Sequence, residues 1–269
     1  MTQQQHRTAQ QDETTQQHGT TQQHGTTQKV ALVTGANKGI GQAIAAQLAA
    51  TGVRVYVGAR DPDRGRAAAA AIAATGGDAR FVQLDVTDDV SVAAAIAHIA
   101  SDSGRLDILV NNAGIALDPP FGGPTTTSIN TMSTTFETNV FGVMRVTNSA
   151  AALLKESGQG RVVNVSSETG SKGVWSDPAS PMSMFAPQVP AYSASKATLN
   201  MLTVAYAKEF RADGVKVNSV SPGHIGTDLN RNMGPGTPAQ GAGVVVPYAL
   251  LDDDGPTGQF FGEHGAVAW

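Results

Sequence analysis

The chain has 269 residues, of which 41% are hydrophobic and 15% charged, and its formal net charge is −4. A balance this close to neutral, without a basic stripe, argues against a nucleic acid as partner. The sequence contains no cysteine, which excludes disulfides, thiolate catalysis and a cysteine-based zinc site, and which fits a cytoplasmic protein. No apolar run reaches the roughly 18 residues of a membrane-spanning helix, so we expect no membrane contact.

Residues 1–28 form a tail rich in Gln, Thr and His, in which His-Gly-Thr-Thr-Gln occurs twice. The tail has almost no apolar side chain to bury, so we predict that it is disordered. Its histidines, His6, His18 and His24, could bind a metal weakly, but a solvated tail is the simpler interpretation, and we predict no metal site. Strand and helix signals alternate regularly over residues 29–269, which predicts one doubly wound α/β domain.

The first predicted strand and helix flank a glycine-rich turn. Val30–Val33 is apolar enough for a buried strand, and Gln42–Ala50 has helix-forming composition with apolar residues at helical spacing. Glycines between a strand and a helix let the backbone approach a pyrophosphate, and the helix offers unpaired N–H groups to the phosphates. The alternative is a loop that only turns the chain. The candidate dinucleotide-binding residues in this turn are Gly35, Asn37, Lys38, Gly39, Ile40 and Gly41.

The second predicted strand, Val53–Val57, ends at Gly58-Ala59-Arg60. In a dinucleotide-binding fold, an acid at this strand end suits the ribose hydroxyls of NAD, whereas an arginine suits the 2′-phosphate of NADP. Arg60 and Lys38 are two cations expected to converge here, which predicts NADP(H) in preference to NAD(H). Alternatively, Arg60 is a solvated charge and Asp61 is the ribose ligand.

Polar and small residues follow the third and fourth predicted strands, Ala79–Leu84 and Leu106–Val110. Asp85, followed by Val86, lies at the carboxyl edge of a parallel sheet, where ligands bind. It could accept from an adenine amine or cap a turn. The segment after strand four lets a flat ligand pack closely and offers hydrogen bonds. Its candidate cofactor-binding residues are Asn111, Ala113 and Gly114.

The remaining predicted elements place several polar residues at the same edge. Asn139 lies among apolar neighbours in a long predicted helix, and a buried amide needs hydrogen-bond partners. Strand five ends at Ser166-Ser167, and the connection 168–190, with four prolines, has no predicted structure and is therefore functional or disordered. The other predicted helices span 63–75, 88–103, 133–157, 192–213 and 239–250, and the later strands 160–165, 215–220 and 259–261.

Tyr192 and Lys196 stand one helical turn apart in the sequence Tyr-Ser-Ala-Ser-Lys, so their side chains share a helix face. Such a pair is often only a helix face. Here it follows Ser166-Ser167 and precedes Pro222-Gly223-His224 in chain order, so these motifs form an ordered set.

In this order the motifs resemble the short-chain dehydrogenase/reductase family over residues 29–269. The ordered set is Thr34-Gly35-(three residues)-Gly39-Ile40-Gly41, Asn111-Asn112-Ala113-Gly114, Asn139, Ser167, Tyr192-(three residues)-Lys196 and Pro222-Gly223. The glycine motif, Ala59-Arg60-Asp61 and the closing Asp254-Gly255-Pro256-Thr257-Gly258 look most like NADPH-dependent carbonyl reductases. The resemblance implies a single-domain, Rossmann-type, doubly wound parallel sheet with helices on both faces.

The resemblance also implies roles for individual residues. Tyr192 would be the general acid or base; Lys196 would lower the pKa of that phenol, ordinarily about 10, and would hold the nicotinamide ribose. Ser167 would hold the substrate oxygen, with Ser166 as an alternative, and Asn139 would anchor a water for proton relay. The implied contacts to the nicotinamide side of the cofactor are Tyr192, Lys196, Pro222, Gly223 and Thr227, and His224 would line the pocket.

The chain departs from the common family pattern between Ser167 and Tyr192, an interval about twice as long as in many members. The extra residues lie within 171–189 and include apolar side chains: Trp175, Met182, Met184 and Phe185. Monomeric carbonyl reductases of the family carry a longer insertion here, over the helix face used for tetramer assembly. We therefore expect an apolar substrate cleft, and a monomer or dimer rather than a tetramer.

The leading hypothesis is an NADPH-dependent oxidoreductase that reduces a small-molecule ketone or aldehyde to an alcohol. A second enzyme hypothesis is a 3-oxoacyl or hydroxysteroid-type dehydrogenase of the same family. A hypothesis from another class is a non-catalytic, NADP-sensing regulatory protein. Such sensors typically lose the active-site tyrosine or lysine, whereas Tyr192 and Lys196 are both present here.

Overall fold

The computed structural model describes residues 28–119, 122–180 and 189–269. Residues 1–27 of the predicted tail, with its three histidines, lie outside these ranges, as do Met182, Met184 and Phe185 of the insertion. The strands are β1 (Val30–Thr34), β2 (Arg54–Ala59), β3 (Ala79–Gln83), β4 (Ile108–Asn111), β5 (Arg161–Val165), β6 (Lys216–Val220), β7 (Phe260–Gly262) and β8 (Gly265–Ala266). All except the short β8, which the sequence did not predict, agree with predicted strands to within about two residues.

The helices are α1 (Gly39–Ala50), α2 (Pro62–Ala73), α3 (Asp89–Ser103), α4 (Ile129–Phe136), α5 (Gly142–Glu156), α6 (Lys172–Ser176), α7 (Pro190–Glu209) and α8 (Pro238–Ala249). The helix predicted over 133–157 was wrong in one respect, because a π-helical turn, Glu137–Phe141, separates α4 from α5. The connection 168–190 was predicted to lack structure. Its described part instead contains a 3₁₀ turn, Glu168–Gly170, and α6.

The strands form one sheet in the order β3-β2-β1-β4-β5-β6-β7-β8, and only β8 runs antiparallel to its neighbour. Helices cover both faces: α1, α2 and α8 pack on one, and α3, α5 and α7 on the other. The first layer is filled by side chains that include Ile44, Leu48, Ile72 and Val245. The second contains Ile99, Leu154, Tyr206 and Phe210. This confirms the predicted Rossmann-type, doubly wound α/β fold, and accounts for apolar runs in strands buried on both faces.

The strand order determines where a ligand can bind. β1 pairs with both β2 and β4, so the chain moves outward on one side of β1 and then returns to its other side. Ligands of open α/β sheets occupy the crevice at the carboxyl ends of the strands where the order reverses. The loops that follow β1, β4, β5 and β6 meet at this edge. None of the described helices is long and apolar enough to cross a membrane.

Candidate active site

The glycine loop, Thr34–Gly41, packs directly on the loop that follows β4. Gly35 has φ +63°, and a Cβ atom on it would lie 2.9 Å from Cα of Ala113. A Cβ on Gly41 would lie 2.3 Å from Nδ2 of Asn112. Both positions therefore require glycine, the first for its left-handed backbone as well. The close approach leaves the backbone of the loop facing the crevice without side chains in the way.

The glycine loop also faces the loop that follows β6. A Cβ on Gly39 would lie 3.7 Å from Cγ2 of Thr227. Next to it, Nζ of Lys38 lies 2.6 Å from Oδ2 of Asp228, and both side chains are exposed. The hydrogen bond from this ammonium holds the pKa of Asp228 below its usual value. Lys38 is thus paired across the cleft in this structure, and its convergence with Arg60 on one phosphate stays a prediction.

At the end of β2, Arg60 is exposed and the neighbouring acid is engaged elsewhere. Oδ1 of Asp61 accepts from the N–H groups of Asp63 and Arg64 at 3.0 Å, so it caps α2. Its other oxygen pairs with the Arg64 guanidinium at 2.9 Å. These contacts weigh against Asp61 as a ribose ligand. Arg64, which the sequence interpretation overlooked, is a second cation four residues after Arg60. Its position in the first turn of the helix that follows Arg60 could have indicated it.

Arg60 lines a surface pocket of about 380 Å³ together with Gln83, Asp85 and Ser91. Oδ1 of Asp85 accepts from the N–H of Thr87 at 3.0 Å and from its hydroxyl at 2.7 Å. Burial opposes ionisation of Asp85, but these hydrogen bonds and the charge of Arg60 lower its pKa overall. Asp85 therefore caps a turn, as one alternative proposed, and is an anion on the pocket wall.

The two asparagines after β4 point in different directions. Asn111 is buried, and its Nδ2 donates to Oγ1 of Thr147 at 3.1 Å and to Oδ1 of Asn164 at 2.9 Å. Nδ2 of Asn112 donates to the carbonyl of Thr34 at 2.9 Å, which ties the β4 loop to the glycine loop. The Asn111 side chain is thus occupied in the core, so its predicted cofactor contact would have to come from its main chain.

The structure brings Ser167, Tyr192 and Lys196 together at the carboxyl end of β5. The Ser167 hydroxyl lies close enough to the Tyr192 phenol to lower its pKa, against the larger effect of burial. Nζ of Lys196 donates to the carbonyl of Val165 at 2.7 Å and lies 5.6 Å from the centre of the Tyr192 ring. The Ser167 oxygen also accepts from the hydroxyl of Thr169 at 2.9 Å. A hydroxyl, a phenol and an ammonium therefore converge beside the loop after β4, where a Cβ on Gly114 would lie 3.7 Å from Nζ of Lys196.

Burial sets the protonation of this cluster. It raises the pKa of Tyr192 to about 12, against the opposing effect of the Ser167 hydroxyl. It lowers the pKa of Lys196 to about 8. Loss of solvent is thus the dominant effect on both groups in the chain without cofactor. The expectation that Lys196 lowers the Tyr192 pKa stays a prediction.

Asn139 lies within the π-helical turn, where the N–H of Gly142 bonds to the carbonyl of Glu137, five residues back. Its buried amide has the partners that its burial required. Oδ1 accepts from the N–H of Ile115 at 2.9 Å, and Nδ2 donates to the Ile115 carbonyl at 2.8 Å and to Oγ of Ser195 at 3.0 Å. Such π turns are frequent at functional sites.

Five further predicted positions, Ser166, Pro222, Gly223, His224 and Val86, differ in accessibility. Ser166 is buried and donates to Oδ1 of Asn200 at 2.6 Å, which gives it a structural contact and leaves Ser167 at the cleft. Gly223, after the buried Pro222, has φ +88°, so this turn also favours glycine. His224 is exposed. Val86 is buried near Gly142.

One residue at the site had no signal in the sequence. Asp118, in the loop after β4, accepts from the N–H of Ala191 at 2.8 Å and from the N–H of Tyr192 at 3.0 Å. Its partners lie 73 and 74 positions further along the chain, so no local spacing rule could connect them.

Comparison with known proteins places this geometry in a family. The model of the short chain dehydrogenase family matches residues 29–237. The chain is 33% identical to (−)-isopiperitenone reductase of Mentha piperita, over 89% of this chain and 98% of that protein. It is 34% identical to carbonyl reductase (NADPH) 1 of Sus scrofa, over 90% of this chain and 94% of that protein. The NADPH-bound carbonyl reductase from chicken fatty liver superposes with a TM-score of 0.78 at 27% identity. The superposition covers 90% of this chain and 99% of that one. The chain therefore belongs to the short-chain dehydrogenase/reductase family of oxidoreductases.

Proposed function

We propose that this oxidoreductase uses NADPH to reduce a ketone or aldehyde to an alcohol, and that the reaction is reversible. The observation that carries the proposal is the cluster of Ser167, Tyr192 and Lys196 at the sheet edge that the glycine loop also lines. Two of the similar proteins are named as carbonyl reductases with NADPH, and a third as (−)-isopiperitenone reductase. A sensor without catalysis would not need an ordered phenol beside a hydroxyl and an ammonium.

The residues present fit a dinucleotide. Gly35 provides the backbone approach that a pyrophosphate requires, and Arg60 stands at the strand end where a 2′-phosphate would lie. Asp61 is engaged as a helix cap, so no free carboxylate there opposes that phosphate. We therefore propose NADP(H) in preference to NAD(H). The residues that would hold it are those predicted above at the ends of β1 to β6, with Arg64 added beside Arg60.

NADPH, when bound, supplies the hydride that reaches the carbonyl carbon. Ser167 donates a hydrogen bond to the carbonyl oxygen and holds it beside Tyr192. Tyr192 then gives its phenolic proton to that oxygen, so the carbonyl becomes a neutral alcohol. Its pKa of about 12 keeps the phenol protonated at neutral pH, which favours reduction. Lys196, with a pKa of about 8, can return a proton, and the Asn139 side chain holds the loop beside it.

The side chains around the cleft favour an apolar substrate. Leu117 after β4 and Leu229 and Met233 after β6 are exposed by 47%, 41% and 70%, although they lie at the edge that carries the site. Trp175 on α6 hydrogen-bonds the Thr169 carbonyl, which holds an aromatic ring next to Ser167. Exposed apolar side chains around a cleft are typical of a ligand site. For the assembly we propose a monomer or dimer, which sedimentation would distinguish from a tetramer.

The experiment is NADPH oxidation with a panel of diketones, quinones and aldehydes, by the wild type and Tyr192→Phe. We expect turnover of apolar carbonyls, and a kcat about 10²- to 10⁴-fold lower for the variant with NADPH binding retained. Tyr248→Phe is the control, since this tyrosine stacks on Phe261 in the layer of α8. NADPH binding without turnover of any compound would favour the sensor hypothesis, and an undiminished Tyr192→Phe rate would refute the role of the phenol.

A further inference from the structure

We propose that Asp118 is a positioning residue for Tyr192, a role that rests on the proposed function of that phenol. The first N–H groups of any α-helix have no partner within the helix. α7, which carries Tyr192, begins after Val189, whose side chain provides no cap. The partly buried Asp118 takes that place: one carboxylate oxygen accepts from Ala191 at 2.8 Å, and the other accepts from Tyr192 itself at 3.0 Å.

This cap differs from the others in the chain in where it comes from. The helices α2, α3, α4 and α8 are each capped by the side chain of the residue immediately before them, respectively Asp61, Asp88, Ser128 and Thr237. α7 takes its cap from a loop that follows another strand. A local cap stabilises one helix, whereas this one also fixes the distance between the β4 loop and the catalytic helix. The carboxylate charge further favours contact with a helix N-terminus.

The carbonyl of Tyr192 is held as well, so hydrogen bonds secure both main-chain groups of this residue. Oγ of Ser195 donates to the Tyr192 carbonyl at 2.6 Å and accepts from Nδ2 of Asn139 at 3.0 Å. The same Asn139 amide pairs with both main-chain groups of Ile115, three residues before Asp118. The contacts close a ring that runs from Tyr192 through Ser195, Asn139 and the β4 loop and back to Tyr192.

The ring explains what Asp118 contributes to the reaction. The Tyr192 phenol must point at an oxygen that Ser167 holds, and a misplacement of about 1 Å can lower a rate by about 10²-fold. Removal of the carboxylate opens the ring at the first turn of α7, next to the phenol and far from the nucleotide residues of β2 and β3. The rate of the chemical step should therefore fall while NADPH affinity is retained.

The test uses the full chain with Asp118→Ala and Asp118→Asn. We expect Asp118→Ala to lower kcat per NADPH-binding site by about 10- to 100-fold, with the Kd of NADPH changed by less than about twofold. Asp118→Asn keeps one acceptor oxygen, so its kcat should lie between those of Asp118→Ala and the wild type. In the NADPH-free protein, amide hydrogen exchange of Ala191 and Tyr192 should accelerate in the same order, while the amides of β5 stay protected.

Asp253→Ala is the matched control, because it also removes a carboxylate, from the buried Arg161 at the opposite end of β5. It should lower stability without lowering kcat per binding site. A wild-type kcat in Asp118→Ala beside an inactive Tyr192→Phe would overturn this inference alone. Unchanged amide hydrogen exchange at Ala191 and Tyr192 in Asp118→Ala would also overturn this inference. Full activity of Tyr192→Phe would instead refute the proposed function. Where Asp118→Ala does not fold, Asp118→Asn gives the same comparison.

Discussion

Two halves of the candidate site are held together in different ways: the half proposed to bind the nucleotide, from β1 to α3 (the nucleotide half), and the half proposed to carry the reaction, from β4 to β6 with α7 (the reaction half). In the nucleotide half, the carboxylates bond to near neighbours: Asp61 to Arg64, three residues on, and Asp85 to Thr87, two residues on. In the reaction half, Asn139 bonds to Ser195, 56 positions away. The carboxylates at the ends of β2 and β3 are therefore held by local turns, whereas Asn139 is held only by the completed fold.

The two halves also differ in exposure. Arg60 and Lys38 are exposed, whereas Asn139 is fully buried and Lys196 is 4% exposed. An exposed group affects the folded state little when it is replaced, because water substitutes for its contacts. A buried polar group leaves unpaired partners behind. Substitutions in the nucleotide half should therefore change affinity alone, and those in the reaction half should change stability and rate together.

The largest effect expected from this contrast is a pH-dependent stability that comes from Lys196. Its pKa is about 8 in the folded chain, against 10.5 for an ordinary lysine, because burial disfavours the ammonium. Between these values the unfolded chain binds more protons, so the free energy of unfolding rises with pH, by about 3 kcal/mol in total. Below about pH 8 the full penalty is present, and Lys196→Met should remove it.

The measurement is urea unfolding of the NADPH-free wild type and Lys196→Met at about pH 7 and pH 10. The difference in free energy of unfolding between Lys196→Met and the wild type should shrink by about 3 kcal/mol from about pH 7 to pH 10. Both proteins carry Tyr192→Phe, because the centre of that ring lies 5.6 Å from Nζ of Lys196; the other tyrosines titrate alike in both and cancel in the difference. Lys208→Met is the control, because this side chain is exposed on the same helix. A constant difference between Lys196→Met and wild type would mean that Lys196 is not desolvated, and the contrast between the halves would fail.

The same contrast explains which parts of the molecule could be predicted from sequence. The strand, glycine loop and helix around Gly35 follow from residues adjacent in the chain, and so does the end of β2 at Arg60. Two details of the fold that the sequence did not predict, the π turn at Asn139 and α6 in the insertion, lie where groups from distant parts of the chain contact them. Ile115 and Ser195 hold Asn139, and the main chain of Trp269 accepts from the N–H of Gly173.

Side-chain roles divide in the same way. The spacing of Tyr192 and Lys196 placed both on one helix face, but the raised pKa of Tyr192 depends on burial by the assembled loops. The pairing of Asp118 with α7 and of Lys38 with Asp228 joins residues far apart in the chain, and no sequence period relates them. Asn111 looked like a cofactor ligand because amides often line such sites, whereas its neighbours in β5 and α5 occupy its side chain.

The next expected effect sharpens the contrast from the nucleotide side. Arg60→Ala should weaken NADPH binding by about 10- to 100-fold, since a hydrogen bond to a charged group contributes about 1.5–3 kcal/mol. NADH affinity and the free energy of unfolding should stay at wild-type values, because Arg60 is exposed and a dinucleotide without the 2′-phosphate does not engage it. Isothermal titration with both nucleotides, alongside urea unfolding, gives all three quantities.

Arg66→Ala controls for the loss of a positive charge, because Arg66 lies on α2, just after Arg60, and pairs with Asp63 at 2.8 Å. An equal loss of NADH and NADPH affinity in Arg60→Ala would show that the guanidinium does not recognise the 2′-phosphate. A large drop in the free energy of unfolding of Arg60→Ala would show that Arg60 also stabilises the fold. The two halves would then differ only in degree.

The smallest expected effect lies where the two halves meet, at the ion pair between Lys38 and Asp228. Exposed pairs contribute less than about 1 kcal/mol, so Asp228→Asn should leave stability unchanged. It should nevertheless raise NADPH affinity a few-fold at low salt, because it removes a carboxylate that competes with the phosphates for Lys38 and repels them. Asp254→Asn, an equal charge change in the loop before β7, controls for the net charge. In a Lys38→Met background the gain should largely disappear, since two substitutions that act through one contact are not additive. Weaker NADPH binding by Asp228→Asn would mean instead that the carboxylate orients Lys38 toward the phosphates, and that the cleft closes around the cofactor with the pair intact.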